Sequence, residues 1–127
     1  MKAEITDVIK TFADAAKATG RPETPDFSTV PEHLRGYFEA QYQMVVIAAA
    51  LNEGWEADWD NESERKYSPW FYKTEKGVSS GFVFNYTFYD FSYANAGYGA
   101  RLCFKTEALA EYAARQFIDI WNKILLK

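Results

Sequence analysis

The chain has 127 residues, of which 48% are hydrophobic and 25% charged, and its formal net charge is −4. This length and composition are typical of one globular domain spanning residues 1–127, and they argue against disorder and against a membrane protein. The mildly acidic balance disfavours general nucleic-acid binding, because contact with a phosphate backbone needs a broad basic face. The aromatic share of 18% is above average and needs an explanation.

Cysteine content and the N-terminal pattern indicate a reducing compartment. The single cysteine, Cys103, cannot form an intramolecular disulfide or, by itself, a cysteine-rich zinc site. Residues 1–5 lead directly into an amphipathic pattern without the apolar region of a signal peptide. The longest apolar run, residues 44–51, is too short for a membrane span, which needs about 20 residues. We therefore expect a cytoplasmic protein that does not enter a membrane.

Two helices are predicted in the N-terminal half. Apolar residues at helical spacing cover residues 5–18, and Gly20 followed by Pro22 supplies the stop. A second helix is expected to begin near Pro31, where a missing N–H is tolerated, and to end at Gly54. Its predicted inward stripe consists of Leu34, Phe38, Tyr42, Val45, Ala48, Ala49 and Leu51.

Residues 53–64, which we name the acidic loop, combine carboxylates with tryptophan. Six acidic residues alternate with Trp55 and Trp59: Glu53, Glu56, Asp58, Asp60, Glu62 and Glu64. Carboxylates on a loop are suitable ligands for calcium, but the glycine and the final glutamate of a calcium-binding loop are missing. The pattern favours a solvated, charged loop, and we predict no bound metal.

Three strands are predicted after this loop, over residues 67–73, 81–89 and 98–104. Their short connections favour antiparallel pairing. Four aromatic residues of the second strand share one face, which we assign to the core: Phe82, Phe84, Tyr86 and Phe88. Aromatic residues then switch to odd positions, which predicts a bulge, a bend or the end of the strand near Tyr89.

A final helix is predicted over residues 107–126, with Thr106 as its N-cap. We expect its apolar stripe to dock on the sheet: Ala110, Ala113, Phe117, Ile120, Trp121 and Ile124. The fold class is therefore α+β, with two N-terminal helices, a three-stranded antiparallel sheet and a C-terminal helix packed on the sheet.

Six segments carry a resemblance to a known family. They are AALNEGW at 49–55, DW at 58–59, KYSPWF at 66–71, GFVF at 81–84, RLCFKT at 101–106 and LAEYA at 109–113. Together they resemble a family of small proteins of unestablished activity carried by phages, prophages and mobile elements of gut Bacteroides-type bacteria. The resemblance implies a phage or integrated element in a bacterial host cell, and it implies no activity and no catalytic residues.

No pattern in the sequence predicts catalysis. The only histidine, His33, is expected in the first turn of a helix, and Cys103 is expected to pack on a strand. Gly97 and Gly99 lack the third glycine and the following helix of a dinucleotide-binding loop. We predict no catalytic residue and no cofactor, and a hydrolase that uses the acidic loop is the enzymatic alternative.

The aromatic content favours binding to another protein. Tryptophan and tyrosine are enriched at interface hot spots, and exposed aromatic area within a charged rim is typical of a protein-binding patch. We therefore predict a non-enzymatic module that contacts a host or phage protein. The predicted binding residues are Trp55, Trp59, Trp70, Tyr89, Tyr93 and Tyr98. In the alternative interpretation, the tryptophans of the acidic loop anchor it on the core.

Another alternative is a protein that sequesters a nucleotide or other small ligand in an aromatic pocket. Basic groups converging on such a pocket, for example Arg101 or Arg115, would favour this function. Single-stranded nucleic acid is disfavoured as a ligand, because its binders need a cationic groove and residues 77–99 contain no Lys or Arg. The sequence leaves the oligomeric state open.

Overall fold

The computed structural model describes residues 4–61, 63–73, 82–90 and 100–126. These residues form an α+β fold in which three helices precede two strands and two helices follow them. The helices are α1 Ile5–Val8, α2 Phe12–Thr19, α3 Glu32–Asn52, α4 Glu107–Gln116 and α5 Ile118–Leu125; the strands are β1 Lys66–Lys73 and β2 Phe82–Asp90. None of these helices is long and apolar enough to cross a membrane.

The helix predicted over residues 5–18 is divided into α1 and α2. Thr11 begins α2 with a capping box, in which Thr11 Oγ1 accepts from the Asp14 N–H and Asp14 Oδ2 accepts from the Thr11 N–H, both at 3.1 Å. Gly20 ends α2 in the left-handed conformation with φ 71°. The apolar spacing continues across the capping box, which is why periodicity alone predicted one helix.

α3 begins after Pro31, as predicted, and ends where Glu53 and Gly54 both take a left-handed conformation. Its predicted stripe is only partly buried, because Leu34 and Phe38 are exposed. The buried residues belong to the C-terminal part of the helix: Ala40, Met44, Val46, Ile47, Ala48, Ala50, Leu51 and Asn52. The apolar run at 44–51 is therefore enclosed almost all round, whereas the first turns of α3 lie at the surface.

β1 and β2 pair as a two-stranded antiparallel sheet. The register pairs Phe71 with Phe84 but Trp70 with Tyr86, which leaves Asn85 as an extra residue in a β-bulge. This bulge lies earlier in β2 than the parity switch near Tyr89, where β2 ends at Asp90, one of the outcomes that the switch predicted. Of the four aromatic residues predicted to share the core face of β2, Phe82 and Phe84 are partly buried against the core, as predicted. The side chains of Tyr86 and Phe88 lie outside the described part of the structure.

The third strand, predicted over residues 98–104, is not found in the part of this segment that the structure describes, which begins at residue 100. A 3₁₀ turn covers Ala100–Leu102, and Phe104 makes only an isolated bridge with Tyr67. In that bridge Tyr67 N–H donates to Phe104 O at 3.0 Å, and Phe104 N–H donates to Tyr67 O at 2.7 Å. Leu102, Cys103 and Phe104 are all buried, so the segment lacks the in–out alternation of a strand.

The predicted C-terminal helix is also divided, because Phe117 (φ −114°, ψ 32°) separates α4 from α5. Thr106 is the N-cap of α4, and its Oγ1 accepts from the Leu109 N–H at 3.1 Å. Both helices contact the sheet. The ring of Trp121, which is fully buried on α5, lies 5.1 Å from the ring of Phe71 on β1. This contact defines the inner face of the sheet.

The chain between α1 and α2 is attached to α4. Tyr112 Oη donates to Ile9 O at 2.6 Å, and Gln116 Nε2 donates to Lys10 O at 2.9 Å. Burial raises the pKa of Tyr112, as expected for a phenol that is partly withdrawn from water. The N-terminal segment is therefore held by the C-terminal half of the domain.

Candidate functional site

Lys66, the first residue of β1, organises the acidic loop. Its side chain is fully buried, and Nζ donates to Glu64 O at 3.0 Å and to Asn61 O at 3.2 Å. Glu64 Oε1 lies 3.3 Å from the same nitrogen, and the centre of the Trp59 ring lies 5.1 Å from it. A buried ammonium group requires such partners, because an uncompensated charge in the interior is strongly unfavourable.

Glu64 connects the ammonium group of Lys66 to the rest of the acidic loop. Its Oε1 accepts from the Asp58 N–H at 2.7 Å, and its Oε2 accepts from Trp55 Nε1–H at 3.2 Å. Two short turns are closed by side-chain oxygens, with Asp60 N–H donating to Asp58 Oδ1 and Ser63 N–H to Asn61 Oδ1, both at 3.0 Å. The described part of the acidic loop is thus an ordered structure held by its own polar groups.

The predicted binding residues lie in different settings. Trp55 and Trp59 are half-buried and contact Glu64 and Lys66, so both contribute to anchoring the loop. Trp70 and Tyr89 are exposed, with 48% and 44% of their surface accessible. The other two predicted residues, Tyr93 and Tyr98, lie outside the described residues.

Trp70 and Tyr89 lie on opposite faces of the sheet. Tyr89 is paired with Tyr67, and their ring centres are 5.8 Å apart. Side chains alternate along a strand, so Tyr67 and Trp70, three positions apart, project to opposite sides. The Arg65 guanidinium covers the Tyr89 ring at 4.5 Å, and a hydrogen bond with the Tyr67 side chain raises the pKa of Arg65. No single face of the sheet contains both Trp70 and Tyr89.

Tyr72 is an exposed aromatic residue that the sequence did not single out. It is 52% exposed and lies two positions after Trp70, on the same side of β1, whereas Phe71 between them is buried against α5. We name Trp70 and Tyr72 the outer aromatic pair. The only feature of the sequence that pointed to Tyr72 was the run of three aromatic residues at 70–72. Such a run does not by itself show which of its residues faces the core.

A cleft of about 350 Å³ lies beside the C-terminal end of α3. Arg21, Arg101 and Trp55 line it, together with Val45 and Ala49 of α3. The other arginine considered from the sequence, Arg115, lies elsewhere: its guanidinium is 4.8 Å from the centre of the Phe84 ring, and its Nε is 2.9 Å from Glu111 Oε2.

In the described segments, no three His, Cys, Asp or Glu side chains converge in a way that could hold a metal ion. Cys103 is buried, and His33 is exposed at the start of α3. Comparison of the chain with protein-family models, with curated proteins and with solved structures found no match.

Proposed function

We propose that this protein is a non-catalytic binding module whose outer aromatic pair contacts a partner protein. The observation that supports the proposal is the exposure of Trp70 and Tyr72, about half of each side chain, on the face of β1 opposite the helices. Tryptophan is mostly buried in folded domains, and exposed tryptophan and tyrosine side by side are typical of interface hot spots.

The charge beside this pair suggests the chemistry of the partner. Lys66 lies on the same side of β1 as Trp70, four residues earlier, which corresponds to about 13 Å at roughly 3.3 Å per residue. At Lys66 the acidic loop covers the strand. Asp58 and Asp60 are exposed on this loop, whereas the charge of Lys66 is buried and compensated. We infer a partner that presents an apolar segment flanked by basic side chains.

The setting of this interaction follows from the sequence resemblance to phage and prophage proteins. We propose that the partner is a protein of the bacterial host or of the phage, met in the cytoplasm. The module would then act as an accessory protein, by occupying a surface of its partner.

The test is quantitative affinity capture from host cells with three forms of the protein as bait. They are the wild type, a Trp70→Ala/Tyr72→Ala variant, and a Tyr37→Ala/Phe38→Ala control that removes two exposed rings from α3. We expect one protein to be captured by the wild type and the control, to be lost with the Trp70→Ala/Tyr72→Ala variant, and to bind more weakly as salt increases. Equal capture by all three forms would contradict the proposal.

A further inference from the structure

Two arginines from distant parts of the sequence line the same cleft. Arg21 follows α2 and Arg101 lies in the 3₁₀ turn, and both side chains are exposed. The ion pairs within the described segments involve other residues: Lys66 with Glu64, Lys105 with Glu53, and Arg115 with Glu111. A guanidinium group outside an ion pair keeps its charge and its N–H donors available to an anion.

Hydrogen bonds fix the backbone at or near each of the two arginines. Arg21 N–H donates to Ala16 O at 3.0 Å, which fixes the chain where it leaves α2. On the other side of the cleft, Asn52 Nδ2 donates to Cys103 O at 3.0 Å, which ties the segment after Arg101 to α3. Such anchoring reduces the conformational entropy that is lost when a ligand binds.

Trp55 gives the cleft an aromatic wall. Its backbone N–H donates to Asn52 O at 3.0 Å, and its Nε1–H donates to Glu64 Oε2 at 3.2 Å, so hydrogen bonds hold both the backbone of Trp55 and one edge of its indole. Val45 and Ala49 extend the apolar surface beside it. A fixed indole of this kind is suited to stack against a planar base.

The size and charge of the cleft fit a small phosphorylated aromatic ligand. Its volume of about 350 Å³ lies within the range of small-molecule sites, roughly 300–1,000 Å³. Glu56 also lines it, and its carboxylate can accept hydrogen bonds from ribose hydroxyls or from a base amino group. We propose that this cleft binds a mononucleotide, with the phosphate held by Arg21 and Arg101 and the base stacked on Trp55.

The site is separate from the outer aromatic pair, so its test does not depend on the partner protein. The purified protein is titrated by calorimetry with AMP, GMP, CMP and UMP, and the Trp55 indole N–H is followed by NMR. We expect saturable binding of at least one nucleotide, with a shift of the Trp55 signal. The matching nucleoside and inorganic phosphate should each bind at least about tenfold more weakly, because each lacks one half of the contacts. No binding of any of the four nucleotides at millimolar concentration would overturn the proposal.

Matched arginine variants assign the binding to the cleft. Arg21→Gln and Arg101→Gln should each weaken nucleotide binding about tenfold or more, because each removes a charged donor to the phosphate. Arg115→Gln is the control, since Arg115 lies away from the cleft, and it should leave the dissociation constant unchanged. Thermal melts check that all three variants fold. Unchanged affinity in Arg21→Gln and Arg101→Gln, or equal binding of nucleoside and nucleotide, would overturn the proposal.

Discussion

Asn52 and Lys105 are joined across the core, since Asn52 Oδ1 accepts from the Lys105 N–H at 3.0 Å. The amide nitrogen of the same side chain donates to Cys103 O, also at 3.0 Å. Asn122 of α5 makes an equivalent contact with one residue of β2, because its Oδ1 accepts from the Phe82 N–H at 2.7 Å and its Nδ2 donates to Phe82 O at 3.1 Å. Asparagine side chains on two helices thus bind extended backbone in the manner of a neighbouring strand.

Replacing Asn52 should test this contact directly. Asn52→Asp keeps the acceptor for Lys105 N–H but places a carboxylate oxygen against Cys103 O, where a donor is required. We expect a loss of about 3 kcal/mol in the free energy of unfolding, measured by urea denaturation. Asn122→Asp is the matched control, and its effect should be smaller because Asn122 is only partly buried. Wild-type stability in Asn52→Asp would show that the contact contributes little.

Removing the charge of Lys66 should release the acidic loop. Lys66→Met preserves most of the side-chain volume but leaves Glu64 without its cationic partner, and we expect a loss of about 3 kcal/mol in unfolding free energy. Amide hydrogen exchange should become faster in residues 55–64 in particular. The control is Lys105→Met, because Lys105 is only partly buried, its 3.9 Å pair with Glu53 is accessible to solvent, and this pair should contribute less than about 0.5 kcal/mol. The same small effect from both substitutions would disprove the organising role of Lys66.

Trp59 and Trp70 should respond differently to truncation. Trp59→Ala removes a half-buried ring next to the Lys66 ammonium and should lower the unfolding free energy by about 2 kcal/mol. Trp70→Ala truncates a half-exposed ring and should change it by less than about 1 kcal/mol while weakening capture of the partner. Chemical denaturation of the two variants measures the difference. If Trp59→Ala retains full stability and loses the partner, the binding surface lies on the acidic loop.

The stability contributed by the capping box of α2 should depend on pH. Hydrogen bonds from the backbone N–H of Lys10 and Thr11 lower the pKa of Asp14. A carboxyl group whose pKa is lower in the folded state stabilises the protein above its ordinary pKa of about 4, and this contribution is lost as the pH falls through the folded value. Asp14→Asn should therefore have a lower melting temperature than the wild type at pH 7, and the difference should disappear in strong acid. A difference that is constant down to pH 2 would contradict this assignment.

The existence of the helices was predictable, whereas their interruptions were not. The positions of Pro31 and of the apolar run at 44–51 determine where α3 begins and which end of it is buried. Phe117 separates α4 from α5 although it is apolar and fits the helical stripe, so no local residue type indicates the break. The predicted third strand is not found over residues 100–104, the part of it that the structure describes, because the apolar character of residues 102–104 reflects burial on all sides, and composition does not distinguish this from strand alternation.

The candidate sites depend on tertiary contacts that composition does not encode. Lysine is almost always exposed, so nothing in the sequence predicted that Lys66 would be buried and that Trp59 would pack beside it. The cleft likewise combines Arg21 with Arg101, which are far apart along the chain. Residue types directed attention to the tryptophans, but only the fold separates anchoring side chains from exposed ones.

The attachment of the α1–α2 segment to α4 has a consequence for how the protein is made. Ile9 is fully buried in the finished domain, but Tyr112, which binds its carbonyl group, is synthesised much later. The domain therefore cannot complete its fold from the N-terminus onward while it emerges from the ribosome. Until α4 has been translated, α2 can already pack on α3, but the carbonyl groups of Ile9 and Lys10 lack their side-chain partners, so the segment between α1 and α2 is fixed only at a late stage.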